Sequence, residues 1–302
     1  PAPLMTDLDE EIPGVAWDLL PMDKYKAHNW HSFDALDKRH PYASIYTTLG
    51  CSFKCSFCCI NAPFDGPSYR MRSPGNLLEE IDTLVNKYHV RNLKIADEMF
   101  VLNMKHVLGL CDLLIDGGYD LNIWAYARVD TVSKEGLLER MKQAGVNWLV
   151  LGIESGSSKV RDSINKSFDQ AAIYKSVRRI QSAEINVCGN YIFGLPEDDV
   201  QSMQETLDLS LDLCCEWANF YSCMAYPGSQ LYLDALKDGL PLPEKWSGFS
   251  QHAKDTLPLP TKHVSGAEVL RFRDYAHEAY FNDPKYRELI ERKFGSEAVE
   301  HI

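Results

Sequence analysis

The chain has 302 residues, 45% hydrophobic and 25% charged, with a net charge of −12. That size and composition fit one large α/β domain with appendages, or two smaller domains. The acidic balance argues against a nucleic-acid surface, which needs a basic stripe, and no stretch reaches the ~18 uninterrupted apolar residues of a membrane span.

Residues 1–43 carry several prolines and mixed charges, with Trp17, Trp30, His28, His31 and His40 scattered among them. They are expected to form an irregular lead-in that packs on a larger body, its histidines spaced as linker residues rather than as metal ligands. Pro1 stands where methionine would, which predicts a processed or partial chain. Ser44–Leu49 is a β-rich run ending at Gly50. Pro74 then opens a helical pattern with Leu77, Ile81, Leu84 and Val85 on one face. Strands follow over Asn92–Ala96, Asn122–Val129, Asn147–Ile153, Asn186–Phe193 and Trp217–Ala225. Helices fall between them: Met104–Ile115, one capped by Ser133 and ending near Gly145, then about 169–183, 199–214 and 229–238.

Six strand–helix units in succession imply parallel strands with right-handed crossovers. Eight would close a barrel; six predict an open, partial (β/α)6 TIM-like barrel. The expected organisation is a lead-in over 1–43, the barrel over 44–238, and a mostly helical extension over 239–302 covering the barrel opening, with a helix from Ser265 to about Phe281. Reactive groups in such folds sit at the carboxyl ends of the strands. Polar residues recur there: Cys51, Asp97 and Glu98, Arg128 and Asp130, Glu154 to Ser157, Gly194 to Glu197, and Tyr226 to Ser229.

The most informative stretch is Cys51-Ser-Phe-Lys-Cys55-Ser-Phe-Cys58-Cys59. Its C-x3-C-x2-C spacing can wrap three thiolates around a small metal cluster and offers no fourth ligand. A cluster held by four cysteines is coordinatively closed, whereas one held by three leaves an iron open for chemistry. A zinc site, a disulfide pair and buried free thiols are the alternatives, although structural zinc wants a second ligand pair that the sequence lacks. The chain has nine cysteines and no export signal, so a reducing cytoplasm is the expected compartment. Cys59 is expected to be a spare thiol. Cys111, Cys188, Cys214, Cys215 and Cys223 are expected to be small buried hydrophobes.

With this spacing, and with Phe57 before the third cysteine, residues 44–238 resemble the radical S-adenosylmethionine (SAM) superfamily. The resemblance implies a [4Fe-4S] cluster on Cys51, Cys55 and Cys58, with the amino and carboxylate groups of SAM chelating the fourth iron. Asp97-Glu98 stand where the family binds the methionine amino group, although the glycines usual there are missing. Glu154 is similar to the residue that bonds the ribose hydroxyls. Asn190-Tyr-Ile192-Phe-Gly194 resembles the segment along the adenosine, with Asn190 replacing the usual glycine. Arg128 is expected to meet the SAM carboxylate or the substrate, or to pair with Asp130 or Asp97. The implied chemistry is reductive cleavage of SAM to a 5′-deoxyadenosyl radical, followed by hydrogen abstraction from a small organic substrate. An electron donor such as flavodoxin or ferredoxin is the implied partner.

Tyr69–Pro74, Lys94–Phe100, Tyr226–Ser229 and the lead-in Ile12–Leu20 look like the cobalamin-associated branch. That branch contains mostly carbon methyltransferases and some cyclases. Only 50 residues precede Cys51, too few for a nucleotide-fold cobalamin domain. Cobalamin is therefore expected only through a domain outside this chain. A cobalamin-independent epimerase, dehydrogenase or cyclase is the other enzymatic expectation, and a non-catalytic iron–sulfur protein the alternative of another class.

Overall fold

A computed structural model describes residues 4–12, 14–64 and 66–302. Pro1 and Pro13 of the lead-in lie outside the described residues. The strands are β1 (Tyr42–Ile45), β2 (Thr48–Leu49), β3 (Arg70–Met71), β4 (Asn92–Ile95), β5 (Asn122–Arg128), β6 (Val146–Glu154), β7 (Asn186–Phe193) and β8 (Trp217–Ser222). Six of them form one parallel sheet in the order β1-β4-β5-β6-β7-β8, while β2 and β3 make a separate antiparallel pair. The sheet curls into a half-barrel, the partial (β/α)6 architecture expected from the alternation. The helices are α1 (Leu8–Glu11), α2 (Pro74–Tyr88), α3 (Met104–Asp116), α4 (Leu137–Gln143), α5 (Ser158–Ser163), α6 (Gln170–Ser182), α7 (Val200–Leu213), α8 (Gln230–Lys237), α9 (Gly266–Phe281), α10 (Pro284–Phe294) and α11 (Ser296–Val299).

The helices form where apolar residues recur every three to four positions. In α2, Pro74 occupies the first turn, Ser73 caps it by accepting from Asn76 N–H, and Leu77, Ile81 and Leu84 are buried. Strand β6 is nearly continuous in apolar residues because helices cover its outer face and the lumen its inner one.

Four local expectations change. The run Ser44–Leu49 is two strands, because the Asp97 carboxylate takes Thr47 N–H at 2.6 Å and diverts the chain away from the sheet. The helix expected after Ser133 starts at Leu137, after Gly136 in a left-handed conformation (φ 72°). Strand β8 ends at Ser222, whose N–H donates to Gln251 and whose C=O accepts from it in place of a further ladder. The lead-in histidines are not all linker residues. His31 is fully buried, its Nε2 lies 2.9 Å from Asn122 O, and His28 stacks on Trp30.

That lead-in forms the floor of the half-barrel. Trp30 meets Trp124 and Trp148 edge-on at 5.3 and 5.1 Å between ring centres, and Phe33 packs on Trp217 and Phe294. The C-terminal extension divides. Val269, Phe272 and Tyr280 of α9 lie behind the sheet against Gly194, Phe193 and Phe220, Phe294 of α10 reaches the floor, and Gln251 projects over the carboxyl end of β8.

Candidate active site

The cysteine loop leaves the top of the hairpin strand β2 and is tied down on three sides. Gly50 adopts φ 85°, and a Cβ there would lie 2.3 Å from Ser68 O, so only glycine fits. Its N–H donates to Glu98 Oε2 at 3.0 Å, which sets that carboxylate beside Cys51. Ser56 N–H donates to Ile164 O at the end of α5, and Leu231 N–H at the start of α8 donates to Ser56 O. Asn61 closes the loop on itself through Phe53 O at 2.8 Å.

All nine cysteines are free thiols, so the disulfide alternative drops out. Cys111, Cys188, Cys215 and Cys223 are buried as expected, while Cys214 caps α7 in a left-handed conformation and is only half-buried. Cys51, Cys55, Cys58 and Cys59 all keep some solvent access. Phe53 N–H points at Cys51 Sγ at 3.5 Å, a weak contact of the kind that suits a thiolate. Burial pushes the Cys51 thiol up, the neighbouring Cys55 adds to this, and metal binding must displace that proton.

Arg128, the last residue of β5, holds the loop from the barrel side. Its guanidinium lies 3.7 Å from the centre of the Phe53 ring and 3.6 Å from Cys55 Sγ, and it donates to both carboxylate oxygens of Asp130 at 3.0 and 3.1 Å. The expected pairing with Asp130 is therefore present, and the cation also faces the cysteines. Asp97 takes another part. It is fully buried, and its oxygens accept from Thr47 N–H, Thr47 Oγ1 and Thr48 Oγ1 at 2.6, 2.5 and 2.9 Å. Its neighbour Glu98 is the carboxylate that faces the loop.

At the end of β6 the sequence Gly152-Ile-Glu154 makes a bulge: Gly152 pairs with Asn190 and Glu154 with Tyr191, so Ile153 is the extra residue. Glu154 carries φ 67°, uncommon for a residue with a side chain. The bulge turns its carboxylate inward, where Lys166 Nζ meets Oε1 at 2.5 Å with both side chains buried. A Cβ on Gly152 would fall 2.5 Å from both partners, so the glycine makes room for the pair.

Phe57, Glu154, Asn190 and Ile192 line one cavity of about 260 Å³ together with Tyr221, Met224, Tyr226 and Gln251. Four expected site residues thus share one space next to the cysteine loop. Asn190 Oδ1 accepts from Asn219 Nδ2 at 3.0 Å, which fixes the amide in the wall. Lys166, Tyr221 and Gln251 were not legible as site residues. Lys166 follows α5 with no periodic signal, and Gln251 sits in irregular chain. Only the alternation of β8 could have suggested Tyr221.

The donor set fits the cluster that the resemblance implies. Three thiols share one loop, with the Phe53 N–H beside Cys51 Sγ and the Arg128 guanidinium beside Cys55 Sγ. Among the described residues no three His, Cys, Asp or Glu side chains converge on a point for a single metal ion. A cubane instead spreads its thiolates over separate irons.

The sequence profile described as the Radical SAM superfamily matches residues 45–210, more than half of the chain. An uncharacterized methyltransferase of Pyrococcus horikoshii is 28% identical over 94% of this chain and 59% of its own length. The anaerobic magnesium-protoporphyrin IX monomethyl ester cyclase of Cereibacter sphaeroides is 28% identical over 76% of this chain and 36% of its own. The chain thus spans about half the length of these curated relatives. In fold it is similar to the radical SAM methyltransferase TsrM of Kitasatospora setae, solved with cobalamin and a [4Fe-4S] cluster. The TM-score is 0.59 at 18% identity, covering 78% of this chain and 47% of that one.

Proposed function

The chain belongs to the radical SAM superfamily, and we propose that it binds a [4Fe-4S] cluster at Cys51, Cys55 and Cys58 and SAM in the adjoining cavity, to abstract hydrogen from a small organic substrate. The observation that carries this reading is the single cavity lined by Phe57, Glu154, Asn190 and Ile192 beside a three-thiol loop. When bound and reduced, a [4Fe-4S] cluster would supply the electron that breaks the sulfonium S–C5′ bond of SAM, giving methionine and a carbon radical able to take hydrogen from carbon.

The chain's own groups bind, orient and exclude water. Glu98, fixed by Gly50 N–H, offers its carboxylate to the SAM ammonium, a role that Asp97, saturated by Thr47 and Thr48, leaves to it. Arg128 keeps a positive charge against Cys55 and the SAM carboxylate. Lys166 holds Glu154 toward the ribose hydroxyls, Asn190 and Ile192 flank the adenosine, and Phe57 with Ile192 keeps water from the reacting carbon. Carbon methylation, with cobalamin from a domain outside this sequence, is the reaction that the methyltransferase relatives support. The functional division is a lead-in over 1–43, the barrel over 44–238 and an extension over 239–302, with a flavodoxin- or ferredoxin-like donor supplying electrons. No helix among the described residues is long and apolar enough to cross a membrane.

The test is anaerobic reconstitution with iron and sulfide, reduction with dithionite and addition of SAM, with 5′-deoxyadenosine and methionine measured by chromatography. Release of both supports the reading. An intact, reducible cluster that leaves SAM uncleaved overturns it.

A further inference from the structure

Lys94 projects from the middle of β4 into the lumen. Its ammonium lies 4.6 Å from the centre of the Trp124 ring and 5.8 Å from that of Tyr126, both on the same face of β5. The same inner face continues through Cys188, Asn190 and Asn219 to Tyr221, and Asn190 and Tyr221 line the cavity beside Glu154. Among the described residues it has no carboxylate within ion-pair distance and no hydrogen bond. The two acids that follow it on the chain are committed elsewhere, Asp97 to Thr47 and Thr48 and Glu98 to Gly50.

A half-buried ammonium needs a counter-charge or water. Aromatic faces offset part of its desolvation but do not neutralise it. Burial lowers the lysine's proton affinity, and no neighbouring acid opposes this. The ammonium in turn lowers the proton affinity of His28, which burial has already reduced. Three other buried cations have carboxylate partners: Arg128 pairs with Asp130, Lys166 with Glu154 and Arg72 with Glu80. Lys94, half-buried on its aromatic bed, has no such partner among the described residues.

We infer that Lys94 is the anchor for an anionic group of the substrate, carboxylate or phosphate oxygens, which enters the half-barrel below the SAM cavity. The inference rests on the functional reading above and adds the substrate class to it. The anion completes the ion pair that the protein lacks, and the aromatic floor limits how deep the substrate goes. The carbon to be attacked then lies on the cavity side of the anchored group.

The test measures binding apart from SAM cleavage. The reconstituted chain, without SAM or reductant, is titrated with benzoate, its neutral isostere benzamide, and inorganic phosphate, reading tryptophan fluorescence because Trp124 lies under Lys94. Saturable binding of benzoate or phosphate but not benzamide is expected, about tenfold weaker in Lys94→Gln and largely restored in Lys94→Arg. The preferred anion tells carboxylate from phosphate. Equal binding of benzoate and benzamide, unchanged anion affinity in Lys94→Gln, or no saturable anion binding to the wild-type chain would overturn the inference. Circular dichroism and thermal unfolding check the fold of each variant; if Lys94→Gln fails to fold, the wild-type comparison of benzoate with benzamide decides. Failure of SAM cleavage by the wild-type chain would instead strike the functional reading, leaving the anion result to stand or fall by itself.

Discussion

Lys166 Nζ lies 2.5 Å from Glu154 Oε1, inside the rim of the half-barrel, with both side chains less than a tenth exposed. The two residues come from opposite ends of a helical turn: Glu154 closes β6, and Lys166 returns after α5. In the proposed site, the pair holds an acceptor toward the cavity while keeping its charge compensated.

Removing one member leaves the other charged and dry. Lys166→Met is expected to destabilise the chain by about 3 kcal/mol, and pairing it with Glu154→Gln should recover at least half of that. Urea unfolding of the single and double variants checks this. A double variant no more stable than Lys166→Met would show that the lysine acts through packing instead.

Arg128 joins the barrel to the cysteine loop through Phe53 and Cys55. Arg128→Met keeps a long apolar stem but loses the Asp130 pair and the charge at the sulfur. Iron and sulfide bound per chain after reconstitution should fall at least twofold, and Arg128→Lys should recover part of the loss because the charge returns without the planar stack. Full loading in Arg128→Met would remove the residue from cluster binding.

Single Cys51→Ala, Cys55→Ala and Cys58→Ala variants should each lose most bound iron, whereas Cys59→Ala should keep it. Iron and acid-labile sulfide assays decide the assignment. Loss in Cys59→Ala equal to the others would make the loop a four-thiol site and close the open iron.

The Asp97 carboxyl is pushed up to about 6, because burial outweighs the hydrogen bonds from Thr47 and Thr48. Since the folded value exceeds the unfolded one, the folded state holds the proton more tightly, and ionisation costs stability as pH rises. The stability difference between the wild type and Asp97→Asn should therefore shift against the wild type by roughly 2–3 kcal/mol between about pH 4 and pH 6, then level off. Urea unfolding of both proteins across that window measures it; a difference that moves toward the wild type would place the carboxyl on the depressed side.

Gly156 presses the end of β6 onto α7: a Cβ there would lie 2.3 Å from Glu205 O, and its N–H donates to Thr206 Oγ1 at 2.8 Å. Gly156→Ala should cost about 1–3 kcal/mol by forcing the strand end away from the helix. Because Glu154 is two residues away, affinity for SAM should fall with it, as equilibrium dialysis would show. Unchanged stability would mean that α7 can yield at this point.

The architecture could be read from the chain because its signals are local. Val146–Glu154 reads as a strand buried on both faces, and Pro74–Tyr88 as a helix with a Ser73 cap and a buried stripe. The Cys51, Cys55 and Cys58 spacing likewise lies within one loop. Errors arose where a distant group overrode local preference. Asp97 split the first strand by taking Thr47, Gln251 ended β8 at Ser222, and Asn122 drew His31 into the floor.

What the sequence determined by itself is thus the six-unit half-barrel and the three-thiol loop, since periodicity and spacing act between near neighbours. The tertiary structure alone decided which carboxylate is spent and which is free. It closed Asp97 onto Thr47 and Thr48, set Glu98 against Gly50, paired Glu154 with Lys166, and left Lys94 facing the lumen without an acid. Those outcomes depend on strand register and on crossings between residues far apart in the chain, where a shift of one residue turns every side chain to the other face.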